Sequence, residues 1–143
     1  MPLEGFSSLC EIRQRIIVSK DDGTSRKHRA VNSGRCNVSH YQIDGNVIKG
    51  PTIRCDYLVM NDAKMVAYLI ELKGSDIEHA IDQLQTTAGL LHSHLCNYDI
   101  KYRIVCSRAN THALKSNKYK KFERTHSKNN GFICKENELE ETI

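Results

Sequence analysis

The residues of this chain best placed to do chemistry lie in "RCDYLVMNDAKMVAYLIELKG", residues 54–74, where Asp56, Glu71 and Lys73 interrupt an otherwise apolar run. Thr52–Met60 and Lys64–Lys73 read as two β-strands joined around Asn61-Asp62, so a hairpin is expected. Strand residues two apart share a face, which turns Glu71 and Lys73 the same way and sends Ile70 and Leu72 the other. The hairpin lets the start of the first strand approach the end of the second. Two carboxylates from adjacent strands can then converge beside an ammonium. Such a set suits a hard divalent cation, since Mg²⁺ is held by one or two carboxylates together with waters and phosphate oxygens. A cation there polarises a phosphodiester and acidifies water, and a neighbouring lysine orients that water or steadies the developing phosphorane charge.

An acid two places before a lysine also occurs at Asp62–Lys64 and Asp99–Lys101. The first falls in the turn, and the second lacks an acid-bearing hairpin partner. Only Glu71–Lys73 joins such a partner to an apolar run and a Gly-Ser exit. The competing reading makes Glu71 and Lys73 an exposed cross-strand charge pair and Asp56 a guard against edge aggregation. His92 and His94 lie about 200° apart on a helix and cannot clasp one metal. His40 is expected to be a strand histidine satisfied by its neighbours.

The elements that must position these residues follow from pattern. Ser8 with Glu11 has capping-box spacing and Leu9, Ile12 and Ile16 share a helical face, predicting a first helix near residues 8–18. Residues 19–37, rich in Gly, Ser, Asn, Asp and base, read as an exposed basic loop. Asp44-Gly45 predicts a tight hairpin. Ser75 with Glu78 caps a long amphipathic helix on which Ile77, Ile81, Leu84, Ala88, Leu91 and Leu95 recur. Tyr98–Cys106 alternates as a strand, returning parallel to the strand before the helix. A basic helix over about 111–127, a short strand at 131–135 and an acidic tail at about 136–143 complete the chain. The expectation is an α/β fold, one mixed central sheet flanked by helices, in a single domain spanning 1–143.

Composition narrows the function classes. The longest apolar run, Met65–Ile70, is far short of the ~20 residues of a membrane span. Glu4 stands where a signal peptide would be positive, so a cytoplasmic protein is expected. Six cysteines at least ten residues apart exclude CxxC redox and ribbon-type zinc patterns. Residues 1–50 carry eight Lys/Arg against five Asp/Glu, residues 51–100 three against seven, and residues 101–143 ten against five. An acidic middle between basic ends suits a polyanion held by the flanks, although a solvated charged surface gives the same count. Arg26, Lys27, Arg29 and Arg35, and Lys115, Lys118, Lys120, Lys121 and Arg124, are the candidate nucleic-acid contacts. Tyr119 and Phe122, interleaved with the second set, are expected to face the core.

"CDYLVMNDAKMVAYLIELKG" followed by "SDIEHAIDQL" resembles the core of the PD-(D/E)XK nuclease superfamily, over roughly residues 52–106 and more loosely the first helix. Cys55 stands where that motif has proline. The resemblance implies a restriction-endonuclease-like αβββαβ core. It implies Mg²⁺ or Mn²⁺ held by Asp56 and Glu71 with help from the Leu72 carbonyl, and Lys73 as the catalytic lysine. Glu11 would be the further acid that family members draw from the first helix, a position its capping role explains equally well. Gln83 stands between a site-facing and a solvated role, with the solvated one preferred. The implied activity is endonucleolytic, on DNA rather than RNA, with a homodimer to cut two strands. A non-catalytic nucleic-acid-binding module on the same fold, and a toxin effector cutting DNA or tRNA, are the alternatives.

Overall fold

A computed structural model describes residues 3–143. The strands are β1 (Ile16–Lys20), β2 (Lys27–Val31), β3 (Val38–Gln42), β4 (Tyr57–Asn61), β5 (Val66–Lys73), β6 (Asp99–Cys106), β7 (Phe132–Glu136) and β8 (Glu138–Thr142). The helices are α1 (Ile77–Leu90), α2 (His92–Leu95), α3 (Thr111–Leu114) and α4 (Asn117–His126). Strands β3-β4-β5-β6-β7 form one sheet in that order, and β1-β2-β8 a second. Both sheets are mixed. In the larger, β3, β4 and β5 pair antiparallel and β5, β6 and β7 parallel. In the smaller, β1 pairs antiparallel and β8 parallel with β2.

The hairpin around Asn61-Asp62 forms as expected, with Asn61 opposite Val66. Alternation along its strands divides the core into two layers. Leu58 and Met60 of β4 and Ala67 and Leu69 of β5 pack with Ile77, Ala80, Ile81 and Leu84 of α1 and with Phe122 of α4. Val59, Tyr68, Ile70 and Leu72 point the other way and pack with Ile17, Ala30, Leu139 and Ile143. Helices therefore cover one face of the large sheet and the small sheet covers the other. The expectation of one sheet between helices is corrected to this extent.

Four local expectations are also corrected. No helix forms over 8–18. Ile16-Ile17-Val18 is a β-branched run that enters β1, while Leu9 and Ile12 stay 56% and 66% exposed with no face to bury against. Instead, Leu9 N–H donates to the His40 carbonyl and Val38 N–H to the Ile12 carbonyl, so the segment lies along the outer edge of β3. The basic loop at 19–37 contains β2, joined to β1 by a turn in which Gly23 has φ +76°. The Asp44-Gly45 turn closes only an isolated bridge to Ile48, and β3 pairs with β4 instead. The acidic tail forms β8.

The long helix is present but starts at Ile77, capped by Asp76, whose Oδ1 accepts from His79 N–H at 3.0 Å. The basic helix is broken at Lys115-Ser116, where Ser116 Oγ caps α4 by accepting from Tyr119 N–H at 3.2 Å. Phe122 is buried and Tyr119 packs against the core, as their spacing indicated. Among the described residues no helix is long and apolar enough to cross a membrane, and all six cysteines are free thiols.

Candidate metal centre

Asp56 is the residue before β4 and Glu71 the sixth residue of β5. The β4–β5 pairing ends at Tyr57 against Ile70, and Asp56, one place earlier, reaches the end of β5 close enough for its charge to act on Glu71. Glu71 alternates with Ala67 and Leu69 toward α1, and Lys73 follows on the same face, where its Nζ meets Gln83 of that helix. A chain bend at Asp56 adapts it to the site: its N–H donates to the Ile70 carbonyl at 3.2 Å while its own carbonyl accepts from Ile43 at 2.8 Å. The Asp56 carboxylate accepts the Leu72 N–H at 3.0 Å. The N–H and C=O of one strand residue point to the same neighbour, so the Leu72 carbonyl also turns toward β4. Lys73 offers its carbonyl to Ser107 N–H on the opposite side.

Lys73 is anchored by α1. Its Nζ donates to Gln83 Oε1 at 3.1 Å, and Gln83 Nε2 donates to the Arg54 carbonyl at 3.1 Å. Gln83 is thus held at the site, not solvated as its helix position suggested. That one side chain ties the lysine to the loop preceding Asp56.

Burial dominates the electrostatics. Glu71 is 2% exposed, and its Oε1 is buried with no hydrogen-bond partner. Loss of solvent, then the Asp56 charge, pushes its pKa up to about 9, with Lys73 opposing. Asp56 is raised to about 6, again by burial first; the Leu72 N–H opposes this, while Asp21 and Asp44 add to it. An orphaned carboxylate oxygen buried beside a second carboxylate is a poor way to fill a core and a good way to receive a cation. Among the described residues, no set of three or more His, Cys, Asp or Glu side chains is arranged to hold a metal ion. The oxygen donors here, two carboxylates and a backbone carbonyl, match what Mg²⁺ or Mn²⁺ takes when it keeps several waters.

Asp21, which no local sequence pattern singles out, stands at the rim. Tyr57 OH donates to the Lys20 carbonyl at 3.1 Å, which brings the β1–β2 turn over the start of β4. Arg26 holds Asp21 Oδ2 from Nη2 at 3.0 Å and reaches Ser107 Oγ from Nη1 at 2.6 Å. A Cβ on Gly74 would lie 3.8 Å from the same Nη1. The turn is therefore pinned to the end of β5. Asp22-Gly23 between two alternating runs is a hairpin signal and was the available clue.

The remaining site candidates separate. Glu11 is exposed in a loop, its N–H bonded by Gln14 Oε1. Its neighbour Ile12 bonds Val38, which pairs with Asn61, so Glu11 lies at the end of β4 away from Asp56. Arg35 lies in the turn after β2, away from Asp21. Arg26 is a partly buried clamp. Lys27 pairs with Glu138 at 3.8 Å, and Arg29 with Glu138 at 3.7 Å and Glu140 at 3.4 Å, so β8 offsets their charge. Lys118 is bound to Asp82 at 2.8 Å. Lys120, Lys121 and Arg124 are exposed on α4 as expected. His40 bonds Ser19 Oγ at 2.9 Å and stacks on Tyr57, satisfied within the core.

Comparison with protein-family models, with curated proteins and with solved structures returned no match for this chain.

Proposed function

We propose that the chain is a metal-dependent nuclease that hydrolyses phosphodiester bonds, an endodeoxyribonuclease built on a restriction-endonuclease-like core. The observation that carries this reading is the Asp56 carboxylate bonded to the Leu72 N–H at the end of β5, beside Glu71, whose Oε1 is buried and unpartnered, with Lys73 two residues on along the same strand. Asp56, Glu71 and the Leu72 carbonyl would hold Mg²⁺ or Mn²⁺. When bound, that ion supplies Lewis-acid polarisation of the phosphate and acidifies water. Lys73, fixed by Gln83, donates a hydrogen bond to the attacking water or to a phosphate oxygen as charge accumulates there. Burial of Glu71 keeps bulk solvent from competing for its oxygens. A homodimer would bring two such sites to the two strands of a duplex.

The test is cleavage of duplex DNA, single strands, branched junctions and tRNA across a metal series. Mg²⁺- or Mn²⁺-dependent cutting is expected, and it is lost in Asp56→Ala, Glu71→Ala and Lys73→Ala while circular dichroism stays unchanged. Binding without cutting by the wild-type protein, whatever the metal, would replace this reading with that of a non-catalytic module.

A further inference from the structure

We propose that the cleft just beyond Lys73 is a phosphate subsite, with Arg108 as its cation, that holds the nucleic-acid backbone next to the phosphodiester being cut. The inference rests on the nuclease reading of the site. The cleft has a volume of about 420 Å³ and is lined by Ser75, Arg108, Ala109, Asn110 and Thr111. Its position follows from the backbone. Ser107 N–H donates to the carbonyls of Lys73 and Gly74 at 3.1 and 3.0 Å, and Arg108 N–H to Gly74 at 3.2 Å. The end of β6 is thereby stitched to the end of β5, and the cleft opens within two residues of Lys73. Two extended residues span at most about 7 Å, so a strand with one phosphate at Lys73 has its neighbour within reach of the cleft.

The chemistry of the lining separates this place from the basic residues of β2 and from Arg26 and Lys118. Lys27, Arg29 and Lys118 are paired with carboxylates, and Arg26 is bound by Asp21. Among the described residues, the exposed Arg108 guanidinium bonds no other residue, and the same holds for the exposed hydroxyls of Ser75 and Thr111. A planar five-donor cation with two hydroxyl groups in one concavity is a donor set for a phosphate. Glu136 lies on the β7 side, where its Oε1 accepts Ala109 N–H at 3.1 Å and fixes the loop. That carboxylate works against an anion, and Arg108 is the cation among the lining residues.

The experiment measures binding of fluorescein-labelled duplex and single-stranded DNA by anisotropy, in chelator to prevent cutting, over a salt series. Arg108→Ala is expected to weaken binding by a similar factor for every sequence tried and to lower the slope of log K against log salt by about 1. Raising salt from about 50 to about 200 mM should then cost the wild-type protein roughly fourfold more affinity than the variant. Arg108→Lys should keep the slope, and Glu136→Gln should tighten binding. Since Arg108 is exposed and unpaired, both Arg108 variants should melt with the wild type, which checks the fold. Wild-type affinity and slope in Arg108→Ala would overturn the subsite and leave the nuclease reading standing. No binding by the wild-type protein would overturn both.

Discussion

Glu71 gives the sharpest test of how the site is built, because its effect on stability can be measured without any substrate. Its folded pKa, raised to about 9 by burial and by Asp56, lies well above the unfolded carboxylate value. The folded state therefore binds the proton more tightly than the unfolded chain, and stability falls as pH rises. The stability this proton confers is complete below the unfolded value of 4.5 and is gone once pH passes about 9. Between about pH 5 and pH 8 that amounts to about 4 kcal/mol, as an order of magnitude. For a chain of this size it corresponds to a Tm change on the order of 10 °C. Glu71→Gln keeps the shape and removes the titration. Melting both proteins in chelator across that range should show the variant gaining on the wild type by that amount at the alkaline end. Mn²⁺ should then raise the wild-type Tm, increasingly so at higher pH because binding requires the ionised carboxylate, and leave the variant unmoved. Parallel Tm profiles for the two proteins, or equal stabilisation of both by Mn²⁺, would refute the assignment of Glu71 as a buried carboxylate awaiting a cation.

Further outcomes follow from neighbouring contacts. Gln83→Ala frees Lys73 Nζ and should slow cleavage about tenfold through kcat with KM little changed, as expected for a residue that positions another. Asp21→Asn removes a charge that raises both Asp56 and Glu71 and releases Arg26, so the pH midpoint of Mn²⁺ binding should move to lower pH in a calorimetric titration. Glu141→Ala strips the partner from Arg103, which is 1% exposed and bonds Glu141 at 2.7 and 2.9 Å, and should destabilise the fold by about 3 kcal/mol in urea melts. Burial alone would raise the Glu141 pKa, but hydrogen bonds from His28 and Arg103 outweigh it and hold it at about 2. Its contribution should thus be present above pH 4.5 and lost as pH falls toward 2, a dependence missing from Glu141→Gln.

The parts of the fold legible in the sequence are those whose cause is local. The Asn61-Asp62 hairpin, α1 and β6 announce themselves through turn residues and periodicity, and with them comes the approach of Asp56 to the end of β5. Over residues 8–18 the capping-box spacing points to a helix, but the β-branching of Ile16, Ile17 and Val18 prevails and Ser8 Oγ bonds the N–H groups of Cys10 and His40. Strand β2 was hidden by its composition. Lys27 and Arg29 look like a solvated basic run until Glu138 and Glu140 of β8 are set beside them. The complement was written in the sequence as alternating charge, but no local rule joins segments so far apart. Asp21 was missed for the same reason, since its relevance arises only when the small sheet lies over the large one.

The pairing of β2 with β8 also has a kinetic side. His28 and Glu141 are 113 residues apart, and the β2 edge finds its parallel partner only across that distance. Closing so long a loop comes late and slowly compared with forming the β4–β5 hairpin. A ribosome-bound chain would carry a bare β-edge, with His28 and Arg103 lacking their shared anion, until residues 138–142 emerge. Refolding should accordingly show a slow final phase.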